Sequence, residues 1–92
     1  MAKKKWSVYI VRCRDKTLYT GISNDVEKRV KAHNTGKGAK YIIPERRPVK
    51  LMYVEEGYDV GGALKRERAI KKSGKRAKEK LVSKMGYYRP QK

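Results

Sequence analysis

The fold is decided by the stretch from residue 6 to residue 22, which reads Trp6-Ser7-Val8-Tyr9-Ile10-Val11-Arg12-Cys13, Arg14-Asp15-Lys16-Thr17 and Leu18-Tyr19-Thr20-Gly21-Ile22. Its two ends are rich in β-branched and aromatic residues, which favour strands, and its middle is polar and typical of a turn. The stretch therefore predicts a β-hairpin.

The length of the hairpin loop determines whether Tyr9 and Tyr19 share a face of the sheet, because side chains alternate between faces along a strand. A two-residue loop would place the two tyrosines on opposite faces. A three-residue loop over residues 14–16 pairs Tyr9 with Gly21 and places both tyrosines on one face. Such a loop usually ends in a residue with positive φ. We therefore predict the three-residue loop, with Lys16 in the left-handed region at a cost of about 1 kcal/mol.

The next part of the chain predicts a helix, a loop and a strand. Asn24 is the predicted N-cap, and Glu27 completes a capping box for a first helix over residues 25–34. Residues 35–48 predict a long basic loop, because they hold two glycines and two prolines. Residues 49–55 alternate enough to predict a third strand.

Two more helices complete the predicted domain. One begins at Asp59 or Gly61 and ends at Lys72, and Ser73 caps the last helix, over residues 75–85. The elements come in the order β-β-α-β-α-α, which is an α+β arrangement. We predict a single domain over residues 1–92, with a basic N-terminal arm and a loose C-terminal tail at residues 1–5 and 86–92.

Composition indicates the kind of partner. The chain has 92 residues, of which 38% are hydrophobic, enough for one small core. It carries 26 Lys and Arg against 9 Asp and Glu, a formal net charge of +17. A chain this basic gains most when a polyanion covers it, so a nucleic acid or an anionic membrane surface is the expected partner. The membrane surface is disfavoured because no predicted helix pairs a basic face with a bulky apolar one.

Several protein classes are excluded by short patterns. The longest apolar run, residues 8–11, is too short to span a bilayer, and no apolar segment follows the first basic residues as in a secretory signal. Cys13 is the only cysteine and has no internal disulfide partner. With a single histidine as well, the chain cannot build a usual structural metal cluster. We therefore expect a cytoplasmic protein, monomeric by default.

Two predicted helices carry polar residues where apolar ones are expected. Arg29 flanks the buried stripe of the first helix, which comprises Val26, Val30 and His33. Glu67 lies within the buried stripe of the second helix, which comprises Ala63, Leu64 and Ile70. A carboxylate, a guanidinium and an imidazole are therefore predicted on or beside buried faces.

Two interpretations of these polar residues remain open. In the structural one, His33 is a core or rim histidine with satisfied hydrogen bonds. Glu67 then either pairs with Arg29 across the core or extends to solvent at a helix end. In the catalytic one, the three side chains converge at the edge of the sheet. A carboxylate that holds Mg²⁺, an arginine that neutralises a phosphate and a base that activates water suit phosphodiester hydrolysis.

The two tyrosines favour the catalytic interpretation. Tyr9 ends the triplet Ser7-Val8-Tyr9, and ten residues later Tyr19 begins the triplet Tyr19-Thr20-Gly21. Arg29 and His33 follow on one predicted helix, and Glu67 follows on another. This ordered set, over about residues 6–85, resembles the GIY-YIG nuclease domain.

The resemblance is strongest to the small stand-alone UPF0213 members, which carry a segment similar to residues 33–41. It implies a three-stranded antiparallel sheet flanked by three helices, in agreement with the predicted elements. Ser7 and Thr20 depart from the two family signatures at positions that support the backbone. Residues 42–45, which read Ile-Ile-Pro-Glu, also depart from the family pattern, because close relatives tend to be basic there.

The resemblance implies a Mg²⁺-dependent or Mn²⁺-dependent endonuclease, with DNA favoured over RNA. Its implied catalytic residues are Tyr9, Tyr19, Arg29, His33 and Glu67. Glu67 is the implied metal ligand, Arg29 holds phosphate oxygens, Tyr19 acts as or relays to the general base, and Gly21 is structural. We predict nucleic-acid contacts at Lys37, Lys40, Tyr41, Arg46 and Lys71. The competing hypothesis is a non-catalytic nucleic-acid-binding module, and a weaker one is a ribosome-associated structural protein.

Overall fold

The computed structural model describes residues 5–85, apart from the side chains at 84 and 85, and confirms the predicted α+β fold and element order. Its elements are β1 (Trp6–Arg12), β2 (Leu18–Ser23), α1 (Val26–Asn34), β3 (Lys50–Tyr58), α2 (Val60–Lys72) and α3 (Gly74–Met85). A short 3₁₀ turn, Pro44–Arg46, lies in the loop between α1 and β3. Residues 1–4 of the predicted arm and the predicted tail at 86–92 lie outside the described residues.

The sheet is antiparallel and has β1 at its centre, in the order β2-β1-β3. Residues 7–11 of β1 are all buried, because both faces of this strand are covered. Burial on two faces explains why the longest apolar run of the chain lies here without polar alternation. β2 is an edge strand of this sheet.

The hairpin between β1 and β2 has the predicted three-residue loop. Tyr9 pairs with Gly21, and Lys16 has a φ of 73°. Tyr9 and Tyr19 consequently lie on the same face of the sheet, with ring centroids 6.4 Å apart. The prediction of a shared tyrosine face is confirmed.

Two small cores lie on opposite faces of the sheet. Helices α2 and α3 cover one face, where the buried residues are Val8, Ile10, Leu18, Tyr53, Ala63, Ile70 and Val82. Helix α1 and the loop after it cover the other, where the buried residues are Tyr9, Val11, Cys13, Ile42, Val49 and Val54. The alternation along β1 divides the two cores and places Tyr9 beneath α1.

Helix α1 begins one residue later than predicted. Asp25, not Asn24, is the N-cap, and its carboxylate accepts a hydrogen bond from the Lys28 N–H at 3.1 Å. The Ser23 hydroxyl accepts from the Asp25 N–H at 2.9 Å and fixes a turn before the helix. With Asp25 as N-cap the third helical residue is Lys28, so Glu27 does not complete the predicted capping box.

Ser73 ends α2 and does not cap α3 as predicted. Its hydroxyl and its N–H both donate to the Ile70 carbonyl, at 2.6 and 3.1 Å. Gly74 has a φ of 88°, which glycine adopts without strain, and the chain turns there directly into α3. The helix–helix junction therefore depends on Gly74.

Strand β3 continues past residue 55, the end predicted from the sequence. Trp6 pairs with Tyr58 and Val8 with Glu55, so the register between β1 and β3 is irregular between these pairs. The irregularity absorbs the additional residues, among them Gly57 with a φ of 97°, and pairing then resumes. A bulge interrupts the alternation of apolar and polar residues, which is why this alternation predicted the end of β3 too early.

Glu55 connects β3 to α2 through a hydrogen-bonded network. Its carboxylate accepts from the hydroxyls of Tyr53 and Tyr58 and from Nε and Nη2 of Arg66, each Arg66 contact at 2.8 Å. The Arg66 hydrogen bonds are the main cause that lowers the pKa of Glu55 to about 2. Burial, with the bond to Glu55, raises the pKa of Tyr53 to about 12.

We expect Glu55→Gln to destabilise the domain by about 2 kcal/mol at neutral pH, because a hydrogen bond to a charged group contributes roughly 1.5–3 kcal/mol. The pKa of Glu55 is lower in the folded state than its ordinary value of 4.5, so its contribution is present above that pH and is lost as the pH falls toward 2. Thermal unfolding of both proteins between pH 7 and pH 2 measures the effect. A Tm difference that stays constant down to pH 2 would contradict this account.

Candidate active site

Tyr9 and His33 form a buried hydrogen-bonded pair beneath α1. Tyr9 lies on the central strand and His33 in the last turn of α1, and each is only 1% exposed. Tyr9 Oη and His33 Nε2 are 2.8 Å apart. The other ring nitrogen, His33 Nδ1, accepts a hydrogen bond from the backbone N–H of Ala39 at 3.2 Å. The predicted burial of His33 is confirmed, and both ring nitrogens have a polar partner.

Tyr19 completes a cluster of three rings at the edge of the sheet. Its centroid lies 5.5 Å from that of His33, with the two planes inclined by 74°, and 6.4 Å from that of Tyr9. Tyr9 and His33 are enclosed, whereas Tyr19 is only half-buried. Of the three side chains, Tyr19 is therefore the one most open to a molecule arriving from solvent.

Gly21 leaves the space that the Tyr9 side chain occupies. It pairs with Tyr9 across the hairpin, and a Cβ at Gly21 would lie 2.6 Å from Tyr9 Oη. Such an approach is closer than real Cβ contacts, so any larger residue would displace the phenol. Gly21 does not have a positive φ. The reason for glycine here is space and not backbone conformation.

Arg29 and Glu67 bring opposite charges to the Tyr9 hydroxyl. Burial is the main cause that raises the pKa of Tyr9, with Tyr19 adding to it, while the charge of Arg29 lowers this pKa and that of Glu67 raises it. Burial also lowers the pKa of His33, and Arg29 lowers it further. Tyr9 and His33 are consequently both uncharged at neutral pH. The other four residues of the predicted catalytic set thus act on the Tyr9 hydroxyl, His33 through a hydrogen bond and Tyr19, Arg29 and Glu67 through their electrostatic effect.

Glu67 comes to the site from α2, the helix on the other face of the sheet. Ala63 and Ile70 are fully buried, and the Glu67 side chain between them is 16% exposed, so its predicted place within the buried stripe is confirmed. Leu64 was predicted in the same stripe, but it is 39% exposed. The helix buries a narrower stripe than predicted, centred on residues 63, 67 and 70, and Leu64 falls outside it.

The ion pair of Glu67 is not the one that the structural interpretation predicts. Its partner is Lys71, whose Nζ lies 3.3 Å from Oε2. Among the residues that the structure describes, no ion pair joins Glu67 to Arg29, so the predicted structural pairing is wrong. The two charges both reach Tyr9 without neutralising each other directly.

The side chains that could bind a metal ion at this site suit only one kind of ion. Within the described side chains, no three His, Cys, Asp or Glu residues lie close enough together to hold a metal. Zn²⁺ sites require such a set, whereas Mg²⁺ binds through one or two carboxylates and completes its shell with water and substrate phosphate. The lone, largely buried carboxylate of Glu67 therefore fits Mg²⁺ or Mn²⁺, with Lys71 as the competing cation.

The loop after α1 folds over the ring cluster. Tyr41 stacks on Tyr19, with centroids 5.5 Å apart and planes inclined by 23°, and Arg46 Cζ lies 4.1 Å from the centre of the Tyr41 ring. Arg46 Nε also donates to Asp15 Oδ2 in the hairpin loop at 2.9 Å. Lys71 Nζ lies 5.8 Å from the centre of the Tyr19 ring. Three of the predicted nucleic-acid contacts, Tyr41, Arg46 and Lys71, thus adjoin the site.

The other two predicted contacts, Lys37 and Lys40, are exposed on the same loop. Neither side chain forms an ion pair within the described part of the chain. Sequence reasoning missed Gly38, although a Cβ there would lie 2.1 Å from His33 Nδ1. It also missed Asp15 as the anchor of Arg46. Both contacts depend on the path of the loop, which residue patterns do not report.

Comparison with known proteins decides the family. Residues 5–80 match the model of the GIY-YIG catalytic domain. The chain belongs to the GIY-YIG family. Relatives include the UPF0213 protein of Staphylococcus saprophyticus, 49% identical over 79 residues that cover 86% of this chain and 95% of the relative. The UPF0213 protein of Syntrophus aciditrophicus is 51% identical over 76 residues, which cover 82% of this chain and 86% of the relative.

Solved structures agree with this assignment. The solution NMR structure of a UPF0213 protein from Bacillus halodurans is 40% identical with a TM-score of 0.56, and the match covers 88% of this chain and 85% of that one. The solution NMR structure of a protein from E. faecalis is 31% identical with a TM-score of 0.58, covering 100% and 98%. The resemblance found in the sequence is confirmed, and GIY-YIG membership supports a nuclease-type function with a nucleic-acid partner. None of the helices within residues 5–85 is long and apolar enough to cross a bilayer.

Proposed function

We propose that this GIY-YIG domain is a Mg²⁺-dependent or Mn²⁺-dependent endonuclease that hydrolyses phosphodiester bonds of DNA in the cytoplasm. The observation that carries the proposal is the convergence of three rings and two opposite charges at the β2 edge, from Tyr9, Tyr19, His33, Arg29 and Glu67. A surface that only binds nucleic acid gains nothing from a carboxylate at the place where it binds phosphates, because like charges repel.

The side chains divide the work of hydrolysis. Arg29 is exposed beside the rings and neutralises non-bridging phosphate oxygens. Glu67 would hold Mg²⁺, which when bound supplies positive charge to the phosphate and to the leaving oxygen. Tyr19 receives or relays the proton of the attacking water. The buried, hydrogen-bonded pair of Tyr9 and His33 packs against the Tyr19 ring and holds it in position.

The proposed reaction is a single displacement at phosphorus. The oxygen of a water molecule forms a bond to phosphorus while the ester P–O bond breaks. The proton of the attacking water leaves toward Tyr19 and from there to solvent, and the leaving oxygen takes a proton from solvent. The products are a phosphate monoester and an alcohol, so one phosphodiester bond is lost for each water consumed.

Exposed cations border the site and suit a polyanionic substrate. The loop contributes Lys37 and Lys40 beside Tyr41. On α2 and α3 the two glutamates, Glu67 and Glu79, are each engaged by a cation, at 3.3 and 2.7 Å. Among the described side chains of these two helices, the exposed cations are Lys65, Arg68, Lys71, Lys72, Lys75, Arg76 and Lys80. A phosphate backbone can therefore meet positive charge beyond the catalytic rings.

We expect the affinity for duplex DNA to fall steeply with salt. If roughly six to eight phosphates are neutralised, log K should fall against log salt with a slope of roughly −5 to −7. Fluorescence anisotropy of a labelled duplex over a salt series, with EDTA present to prevent cleavage, measures the slope. A slope near −1 would contradict an extended basic surface and leave at most a compact site.

The test of the proposed function is a cleavage assay on a panel of substrates. Single-stranded, duplex and branched DNA, with matching RNAs, are incubated with the wild-type chain in Mg²⁺ and in EDTA. We expect cleavage of at least one DNA substrate in Mg²⁺ and none in EDTA. Preferential cleavage of RNA would overturn the choice of DNA.

A non-catalytic nucleic-acid-binding module is the second candidate function. The observation in its favour is the net charge of +17, which is sufficient for binding without any chemistry. This candidate predicts tight, salt-dependent binding to the whole panel and no cleavage of any member in Mg²⁺ or Mn²⁺. That result would replace the endonuclease proposal.

A further inference from the structure

The distance between Tyr9 and His33 does not define which of the two side chains donates the hydrogen bond that joins them. The two heavy atoms are 2.8 Å apart, and either side chain could donate the proton. If Tyr9 donates, His33 is an acceptor that is ready to take up a proton during the reaction. If His33 donates, it can only hold the phenol in position.

The backbone of the loop resolves this choice. The N–H of Ala39 points to His33 Nδ1 at 3.2 Å, and a backbone N–H can only donate. Nδ1 must therefore be unprotonated. A neutral imidazole carries one proton, so that proton lies on Nε2 and is donated to Tyr9 Oη.

We propose that the Gly38–Ala39 backbone locks His33 as the neutral Nε2–H tautomer, which makes His33 a positioning residue and not a proton acceptor in the reaction. The catalytic consequence rests on the proposed endonuclease function, whereas the tautomer itself does not. Tyr9 Oη accepts from His33, so the proton of Tyr9 does not go to His33. Neither member of this pair then takes up the proton of the attacking water, which goes to Tyr19.

The fit of the loop supports the lock independently of the hydrogen bonds. A Cβ at Gly38 would lie 2.1 Å from Nδ1 and 2.8 Å from the Cα of His33, so the backbone lies directly against the imidazole and only glycine fits. The Tyr41 ring, stacked on Tyr19, holds the same loop over the cluster. The stack and the Ala39 hydrogen bond are thus two contacts that hold this loop against the ring cluster.

Burial and the charge of Arg29 on α1 also oppose the charged form of His33. Its other neighbours are Tyr9 from β1, Tyr19 from β2 and the Ala39 N–H from the loop. None of them is an anion, and protonation of Nδ1 would set two N–H groups against each other. The lock therefore holds over the pH range in which an ordinary histidine titrates.

Nitrogen NMR on the full chain tests the tautomer directly, because His33 is the only histidine in the sequence. With ¹⁵N-labelled histidine, long-range proton–nitrogen correlations assign each ring nitrogen as protonated or bare. We expect a bare Nδ1 and a protonated Nε2, unchanged between pH 8 and pH 6. A protonated Nδ1, or averaging between the two tautomers, would overturn the proposal. This readout needs no cleavage, so it is independent of the proposed function.

Two variants show whether the loop or Tyr9 fixes the tautomer of His33. In Tyr9→Phe the partner of Nε2 is lost but the Ala39 bond remains, so the same tautomer should persist. A switch to Nδ1–H in this variant would overturn the role of the loop. In Tyr41→Ala the loop loses its stack, and we expect tautomer averaging in a folded protein, because Tyr41 is 40% exposed. An unchanged single tautomer would contradict the contribution of the stack.

Cleavage by two His33 variants distinguishes positioning from proton uptake. His33→Gln keeps an N–H donor near the place of Nε2 but cannot take up a proton, and His33→Ala keeps neither. We expect His33→Gln to retain cleavage within ~10-fold of wild type and His33→Ala to lose on the order of 10², as for a misplaced catalytic group. Equal losses in both variants would overturn the positioning role.

Discussion

Glu67→Gln is expected to lower metal-dependent cleavage by at least ~10²-fold while the domain keeps its stability, the usual scale for loss of an electrostatic contributor in an active site. The substitution keeps the shape of the side chain and removes the charge that would hold Mg²⁺. Without metal, the affinity for nucleic acid should equal that of wild type or rise slightly, because a carboxylate that repels the phosphates is lost.

The structure makes the stability part of this prediction sharp. Glu67 pairs with Lys71, an i,i+4 contact to a half-exposed lysine, and such pairs contribute only about 0.3–0.5 kcal/mol. Loss of the charge should therefore leave Tm almost unchanged. Thermal melting and cleavage are measured on the same preparation. A large fall in stability would indicate that Glu67 serves the core and not the chemistry.

Glu79→Gln is the matched control for the loss of a helix carboxylate. Glu79 lies on α3, on the face of the sheet opposite Tyr9, and forms a bidentate ion pair with Arg12 at 2.7 and 3.0 Å. This pair is partly exposed, so we expect a modest loss of stability, below about 1 kcal/mol, with cleavage retained. Equal loss of cleavage in both variants would contradict a specific role for Glu67.

Gly21→Ala is expected both to destabilise the domain and to lower cleavage by at least ~10-fold. Its Cβ would lie 2.6 Å from Tyr9 Oη and 2.8 Å from Cζ, so the phenol must leave its place against His33. Overpacking of a well-packed core costs roughly 1–3 kcal/mol. The displaced phenol would also disturb the Tyr19 and His33 rings beside it, and small misplacements of catalytic groups lower rates strongly.

Gly61→Ala is the control for the effect of an added methyl group. Gly61 lies in the first turn of α2, and a Cβ there would meet only Asp59 Oδ1, at 3.8 Å. Alanine favours helices over glycine by roughly 1 kcal/mol, so this variant should be as stable as wild type or more so, with unchanged cleavage. If Gly21→Ala behaves like Gly61→Ala, the Tyr9 phenol is not held as the structure has it.

The hairpin could be predicted in detail because two constraints agree in the same short segment. Side-chain alternation places Tyr9 and Tyr19 on the same face of the sheet only when the hairpin loop has three residues. A loop of that length usually has a positive φ at its last residue. Lys16 adopts it, with a φ of 73°. The buried stripe of α1 was also predictable, since the helical period alone aligns His33 with Val26 and Val30.

Local boundaries were less predictable because adjacent residues compete for the same role. Asn24 and Asp25 can both cap α1, and the Ser23 hydroxyl favours Asp25 through its N–H. Leu64 is apolar and lies beside the stripe of α2, yet the sheet edge covers only a narrow face of that helix. These outcomes are decided by neighbours in space, which a residue pattern does not contain.

The candidate site was predictable as a set of residue types but not as an arrangement. The ordered pattern of tyrosines, arginine, histidine and glutamate indicated which side chains to consider. The Ala39 contact to His33 and the Asp15–Arg46 pair both depend on the path of the loop after α1. Those contacts define the charge and the proton positions, and hence the chemistry.

The central claim, metal-dependent hydrolysis at the ring cluster, is tested most directly by the cleavage rate as a function of Mg²⁺ concentration. Wild type and Glu67→Gln are titrated side by side, from EDTA to millimolar Mg²⁺, on the best DNA substrate of the panel. We predict no cleavage by wild type in EDTA, a saturable rise with Mg²⁺, and a Glu67→Gln curve near the EDTA baseline throughout. Wild-type cleavage that is equal in EDTA and Mg²⁺, or two superimposable titration curves, would contradict the account.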